Sequence, residues 1–173
     1  MDRAPYIFSK LSGETFLNIL RNKYKINTKS VRLCLAFGPG NKKNDNRAMY
    51  EIINKGLLKK KIILNDSGLD RRSYIYILDA IKMIINIFFF GKENTYNVGG
   101  KKIITIKKLA EEISEILKIP FQQIKVRRIN KSSPKLSIVS TDLYDKEFGK
   151  INYYNFKNAL NQTILWQKFL NKK

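Results

Sequence analysis

Tyr6 and Lys10 stand four residues apart in the segment "YIFSK". On a helix, positions i and i+4 lie on one face. An ammonium beside a phenol stabilises the phenolate and draws the tyrosine pKa down from its usual value near 10. A tyrosine tuned in that way exchanges a proton with a substrate hydroxyl. The spacing alone is unspecific, because a lysine-rich chain with nine tyrosines produces such pairs by chance. A second one, Tyr153/Lys157 in "YYNFK", reads as a surface pair.

Other chemistries are narrowed by composition. The chain has no histidine, which excludes histidine-based triads and histidine metal sites. The single cysteine, Cys34, lies in the apolar run "VRLCLAFG". No disulfide framework is possible, and a reducing, cytoplasmic setting is expected. One cysteine and scattered carboxylates also leave no zinc-like ligand set, so no metal is expected. The formal net charge is +20, which raises nucleic acid as a partner. Against that, the lysines are spread along the whole chain. No zinc finger, RNP-type aromatic motif or basic-region heptad is visible, so nucleic acid is not the expected partner.

The elements that must position Tyr6 and Lys10 follow from hydrophobic period and turn signals. The 173 residues fit one domain or part of a larger one, and 43% of them are apolar, enough for a core. No run reaches the ~20 residues needed to span a bilayer. Asp2 and Arg3 followed by a mixed segment do not read as a secretory leader. Residues 6–24 read as a helix with Ile7, Leu11, Phe16 and Leu20 in helical register, and Gly13 is expected to admit a close neighbour. "SVRLCLAF" (30–37) reads as one strand ended by "GPG", "RAMYEIINKGLL" (47–58) as a helix, "KIIL" (61–64) as a strand and "SYIYIL" (73–78) as extended. Asp79 is placed to cap a buried helix over 80–90. "TYNVGG" (95–100) reads as a strand ending in glycines. "TIKKLAEEISEILK" (105–118) is the clearest helix: Thr105 is its N-cap, Ile106, Leu109, Ile113, Ile116 and Leu117 form its stripe, and Pro120 stops it. "IKVRRI" (124–129) reads as β-like and "KSSPKLS" as a loop. The tail 141–171 is helical apart from a break at "FGKINYYN". Strands alternating with helices indicate an α/β arrangement.

Several segments, in order, resemble the NAD-dependent epimerase/dehydratase family, the extended short-chain dehydrogenases that act on nucleotide sugars. "PYIFSKLSGETFL" is similar to its active-site helix, with Tyr6, Ser9, Lys10, Gly13 and Glu14 in the pattern. "RLCLAFGPG" (32–40) looks like the family's Arg-x-x-Asn-x-Tyr-Gly-Pro, although Leu35 and Phe37 stand where it has asparagine and tyrosine. "DSGLDRRSYIYILDA" (66–80) resembles its Gly-x-x-x-Arg-x-Phe-x-Tyr-Val-x-Asp segment, with Arg72, Tyr74, Tyr76 and Asp79 in register. "TYNVGGKKIITIKKLAEEI" (95–113) resembles its next strand and helix, and "STDLYDKEFG" (140–149) its late Leu-Gly helix.

The resemblance implies an acid/base role for Tyr6, with Lys10 binding the nicotinamide ribose of NAD beside it. It implies that Arg72 grips the diphosphate of a nucleotide sugar, with Arg71 in its place if the register slips by one. Asn46 and Arg47 are further substrate-binding candidates. Tyr74 and Tyr76 are equally readable as packing residues or substrate contacts. The family's Gly-x-x-Gly-x-x-Gly turn, where a helix N-terminus holds the NAD pyrophosphate, does not occur in these residues. Nor does the Ser/Thr that precedes the tyrosine by about two dozen residues. The resemblance therefore implies that residues 1–173 are the C-terminal half of such a domain. The expected fold is an incomplete Rossmann-like parallel sheet with the family's small substrate-binding portion. Alone, the chain is expected to be inactive, to bind NAD poorly, and to associate through an exposed sheet edge, as a homo-oligomer or with a separate N-terminal half. A non-catalytic binding or structural remnant is the alternative.

Overall fold

The computed structural model describes residues 4–124 and 136–172. The chain opens with α1 (Ala4–Tyr24), none of whose residues is buried. It continues into β1 (Ser30–Leu33) and, after a break at Cys34, β2 (Leu35–Phe37). The expected single strand 30–37 is therefore two. β1 pairs in parallel with β5 (Thr95–Val98), while β2 pairs in parallel with β4 (Arg71–Tyr76). Cys34 sits at the fork, its N–H donating to the carbonyl of Val98.

Between these strands lie α2 (Ala48–Lys59) and β3 (Ile62–Leu64), the latter in parallel with β7 (Phe121–Gln123). β4 ends at Tyr76, and α3 (Ile77–Phe90) begins at once. The extended reading of Ile77 and Leu78 is thus corrected, as is the cap. Tyr76 occupies the cap position, and Asp79 lies in the first turn, where its carboxylate accepts the N–H of Tyr154. The first half of β4 pairs antiparallel with β6 (Ile103–Thr105) and in parallel with β8 (Leu136–Ser137). Of the expected loop 131–137, the described end is therefore strand. α4 (Ile106–Leu117) starts at Thr105, whose hydroxyl accepts the N–H of Lys108 as an N-cap should. It ends at Lys118 in the left-handed conformation. α5 (Asp142–Phe148) and α6 (Phe156–Lys172) complete the chain. The β-like reading of 124–129 falls almost wholly outside the described residues.

Two apolar clusters hold these elements together. The first joins α2, α4 and α6 to β2 and β4 through Phe37, Tyr50, Ile53, Tyr74, Leu109, Ile113, Leu160 and Ile164. The second joins α3, β5 and α5 through Ile75, Met83, Ile87, Tyr96, Val98 and Tyr144. A close backbone approach locks them: a Cβ on Gly100 would lie 2.0 Å from the carbonyl oxygen of Tyr74, so only glycine fits there. The carbonyl of Gly100 accepts the Ser73 hydroxyl at 2.7 Å. Gly13 has no such role: no described residue comes within 4 Å of where its Cβ would lie. α3 is buried on one face only, with Phe88, Phe89 and Phe90 exposed. No described helix is long and apolar enough to cross a membrane.

Candidate functional site

A cavity of about 520 Å³ opens between α2, β2, β3 and β4. Leu35, Phe37, Ile62, Leu64 and Tyr74 give it apolar walls, and Asn46, Arg47, Asp70 and Arg72 bring polar groups to it. The loop after β2 delivers Asn46 and Arg47, and the start of strand β4 delivers Arg72. The strand register decides between the two neighbouring arginines. Arg71 points to solvent, whereas Arg72 is 7% exposed and lines the cavity.

Each guanidinium is held by a carboxylate two residues earlier. Arg72 Nη2 donates to Asp70 Oδ2 at 3.0 Å, and Arg72 Nη1 to the carbonyl of Arg71. Arg47 engages Asp45 through Nε and Nη2 and donates from Nη1 to the carbonyl of Ala36. The Arg47 guanidinium holds the Asp45 carboxyl below the usual carboxylate range and is itself raised. It also stands over the ring of Tyr50, 5.0 Å from its centroid. Burial pushes the Tyr74 phenol up to about 12. The phenol is therefore a neutral hydrogen-bond donor at ordinary pH. Two fixed guanidiniums and apolar walls in one cavity suit a ligand that joins anionic oxygens to a flat or apolar body.

Of the residues singled out in the sequence, Asn46, Arg47 and Arg72 meet at this cavity. Tyr6 and Lys10 do not line it. They lie on the exposed α1, where Tyr6 is 66% exposed and Lys10 Nζ sits over its ring, 5.4 Å from the centroid. Tyr74 is a packing residue of the first apolar cluster and also forms part of the cavity wall. Tyr76 packs against Phe37 and Tyr154. The second Tyr-x-x-x-Lys is not a surface pair. The Tyr153 hydroxyl donates to the carbonyl of Gly99, burial pushes its pKa up to about 12, and Lys157 reaches Glu115 instead. The sequence reading missed Asp45 and Asp70, whose signal was a carboxylate two residues before each arginine.

A model of the NAD dependent epimerase/dehydratase family matches residues 1–99. That is more than half of the chain, so the chain belongs to this family. Among curated relatives, the mouse dTDP-D-glucose 4,6-dehydratase is 24% identical over 115 residues, covering 66% of this chain and 32% of the relative. The dTDP-4-dehydro-6-deoxyglucose reductase of Escherichia coli is 29% identical over 117 residues, covering 62% and 35%. The match thus spans about a third of these relatives' length. Among solved structures, the fold is similar to a UDP-N-acetylglucosamine 4-epimerase from Methanobrevibacter ruminantium M1, solved with UDP-N-acetylmuramic acid (TM-score 0.83, 24% identity, 100% of this chain and 56% of that one). It is also similar to the UDP-glucuronic acid 4-epimerase of Bacillus cereus, solved with UDP-glucuronic acid and NAD (TM-score 0.78, 20% identity, 98% and 54%). The architecture is accordingly α/β, with parallel sheet pieces corresponding to part of a Rossmann-like epimerase/dehydratase.

Proposed function

We propose that this chain supplies the nucleotide-sugar-binding part of an epimerase- or dehydratase-type enzyme, residues 1–173 forming the C-terminal half of its domain. The observation that carries this reading is the convergence of Arg47 and Arg72 on one apolar-walled cavity. A guanidinium offers several charge-assisted N–H donors to phosphate oxygens, so two of them at one cavity suit a diphosphate, whose oxygens would share or replace the contacts now made by Asp45 and Asp70. Leu35, Phe37, Ile62 and Leu64 then cover the uncharged part of the nucleotide sugar.

Tyr6 is the proposed acid/base toward a sugar hydroxyl, with Lys10 its neighbour one turn on. NAD supplies hydride chemistry in relatives that hold it. Tyr6 and Lys10 stand on an exposed helix face, where Lys10 would meet the nicotinamide ribose; the pyrophosphate contacts are proposed to come from the other half of the domain. Among the described residues β1 pairs only with β5, leaving one parallel edge open beside α1. A dinucleotide-binding half would add its strands there, and the Tyr6 face of α1 would then meet it.

The test is calorimetric titration of UDP, dTDP and their sugars into the chain. Binding is expected without NAD. Arg72→Ala should weaken it roughly 10- to 150-fold, the equivalent of losing one charge-assisted contact, while Arg32→Ala, outside the cavity, should not. Absence of binding at millimolar ligand, or an unchanged affinity in Arg72→Ala, overturns the reading.

A further inference from the structure

Among the described residues, the carboxylates that line the cavity are Glu51, Asp66 and Asp70. Glu51 pairs with Lys55, and Asp70 with Arg72. Asp66 has no basic partner among them. Its Oδ1 accepts the N–H of Gly68 at 2.9 Å, and no described donor reaches Oδ2. Two guanidiniums prepare this cavity for an anion, and an uncompensated negative group there repels that anion. Such a group aids recognition only by accepting hydrogen bonds from donors on the ligand.

The loop that carries Asp66 is held from outside the cavity wall. Gln123 ends β7 opposite Leu64, the last residue of β3. Its Nε2 donates to the carbonyls of Asp66 and Ser67, each at 3.0 Å. A primary amide has two N–H donors, and both are used here. On the other side, the Lys107 N–H donates to the Gly68 carbonyl at 2.9 Å, and the Ile106 N–H to that of Asp70 at 3.1 Å. Gly68 has φ +60°, and a Cβ there would lie 2.5 Å from Leu64 Cδ2 and 2.9 Å from Lys107 N, so the turn takes glycine. Leu69, the loop's one large apolar side chain, is 68% exposed. Hydrogen bonds more than packing therefore set this loop in place. A carboxylate fixed in this way gives one oxygen to its own turn and keeps the other for a ligand.

We infer that Asp66 is a specificity-determining residue of this cavity, accepting hydrogen bonds from hydroxyls of the ligand, and that Gln123 is its positioning residue. The inference rests on the diphosphate reading of Arg47 and Arg72. It adds what stands beside the diphosphate: a hydroxylated group, the ribose or the sugar of a nucleotide sugar, in preference to a deoxygenated one. A hydroxyl that donates to a carboxylate makes a charge-assisted bond, about twice as strong as one to a neutral acceptor. A ligand without that hydroxyl leaves the carboxylate desolvated and unpaired, and this loss is what discriminates against it.

Calorimetric titration of inorganic pyrophosphate, UDP, 2′-deoxy-UDP and UDP-glucose into the chain tests this. The affinity for UDP relative to 2′-deoxy-UDP reads the ribose, and that for UDP-glucose relative to UDP reads the sugar. One of these ratios is expected to be roughly 10- to 150-fold, the equivalent of one charge-assisted hydrogen bond. In Asp66→Asn the amide oxygen still accepts the Gly68 N–H, so the turn survives. The ratio should nevertheless fall roughly fivefold or more, while pyrophosphate binds as tightly or more tightly because a repelling charge is gone. An Asp66 that serves the turn alone would move neither. Gln123→Met keeps the unbranched shape and removes both donors; it should lower the same ratio and leave pyrophosphate affinity unchanged. Gln122→Met, on the opposite side of β7, should change nothing. Pyrophosphate that fails to bind at millimolar concentration overturns the diphosphate reading and this inference with it. Pyrophosphate that binds, with both ratios near one or unmoved by Asp66→Asn, overturns the role of Asp66 alone. A ratio unmoved by Gln123→Met overturns the positioning role.

Discussion

Glu14 of α1 grips Arg32 of β1 through both carboxylate oxygens, 2.7 Å to Nε and 2.6 Å to Nη2. With the Arg21–Thr28 contacts near its end, this pair fastens a helix that buries nothing. The neighbouring guanidinium holds the Glu14 carboxyl below its ordinary pKa. The pair is exposed to water, where ion pairs contribute little to stability, so it positions α1 more than it stabilises the fold. Glu14→Gln is expected to leave the main unfolding transition in place while amides of residues 4–24 exchange faster. Hydrogen-exchange mass spectrometry checks this, and unchanged protection in α1 would contradict it.

Two tyrosines with the same spacing to a lysine separate cleanly in the structure. Tyr6 is exposed on α1, whereas Tyr153 donates its hydroxyl to the Gly99 carbonyl. If a complementary N-terminal half restores turnover of a nucleotide sugar, Tyr6→Phe should lower the rate about 10²–10⁴-fold, the usual contribution of a general acid/base group. Tyr153→Phe should cost about 1 kcal/mol of stability for the lost hydrogen bond and leave the rate unchanged. Full turnover in Tyr6→Phe would remove it from the chemistry.

The parts of this arrangement legible in the sequence are those fixed locally. The Thr105 cap and the stripe of α4 depend on residues within a few positions, and both stand as read. Arg72 was legible through motif register, and the strand then placed it inward. What escaped depends on partners distant in sequence. The break at Cys34 exists because β5 and β4 claim successive halves of one apolar run. Tyr153 was misread because its hydroxyl meets a carbonyl 54 residues away. Asp79 looked like a cap and instead receives the Tyr154 N–H across 75 residues. Gly13 suggested a close neighbour because small residues in helices often have one, but no described element approaches it.

Cofactor affinity gives a third expectation. The NAD pyrophosphate is normally held by backbone N–H groups at a glycine turn and helix N-terminus. Tyr6 and Lys10 on an open helix replace none of them. Titration of NAD into the chain alone should therefore give no heat at micromolar concentration, under conditions in which UDP binds. A micromolar dissociation constant for NAD would show a seat formed by other residues.

Alkaline pH should unfold the protein early. Burial raises the Tyr74 phenol from 10 to about 12 in the folded chain. Below pH 10 the phenol is neutral in both states, and its contribution is fully present. Between 10 and 12 the unfolded chain ionises first, so stability falls as pH rises, by up to ~2.7 kcal/mol for a two-unit shift. Urea midpoints measured from pH 9 to 11.5 should decline, and Tyr74→Phe should flatten part of that decline. An identical slope in the variant would mean that the Tyr74 phenol ionises equally in both states.

Gln167 offers the opposite experiment, a stabilising change. It lies in α6 with 0% exposure, and neither its Nε2 nor its Oε1 has a hydrogen-bond partner among the described residues. Its neighbours one and two turns back, Ile164 and Leu160, belong to the first apolar cluster. A buried amide without partners gives up its hydration and receives nothing in return, a cost of about 1–3 kcal/mol. Gln167→Met keeps the unbranched shape and removes both polar atoms, so packing should survive while that cost disappears. The variant should melt about 2–12 °C higher, from ~2–4 °C per kcal/mol for a chain of this size. Gln167→Glu, which buries a charge at the same place, should instead melt lower and recover part of the loss as pH falls and the carboxyl is protonated. Differential scanning calorimetry of the three proteins decides it. A lower melting temperature for Gln167→Met would show that the amide makes a hydrogen bond in solution.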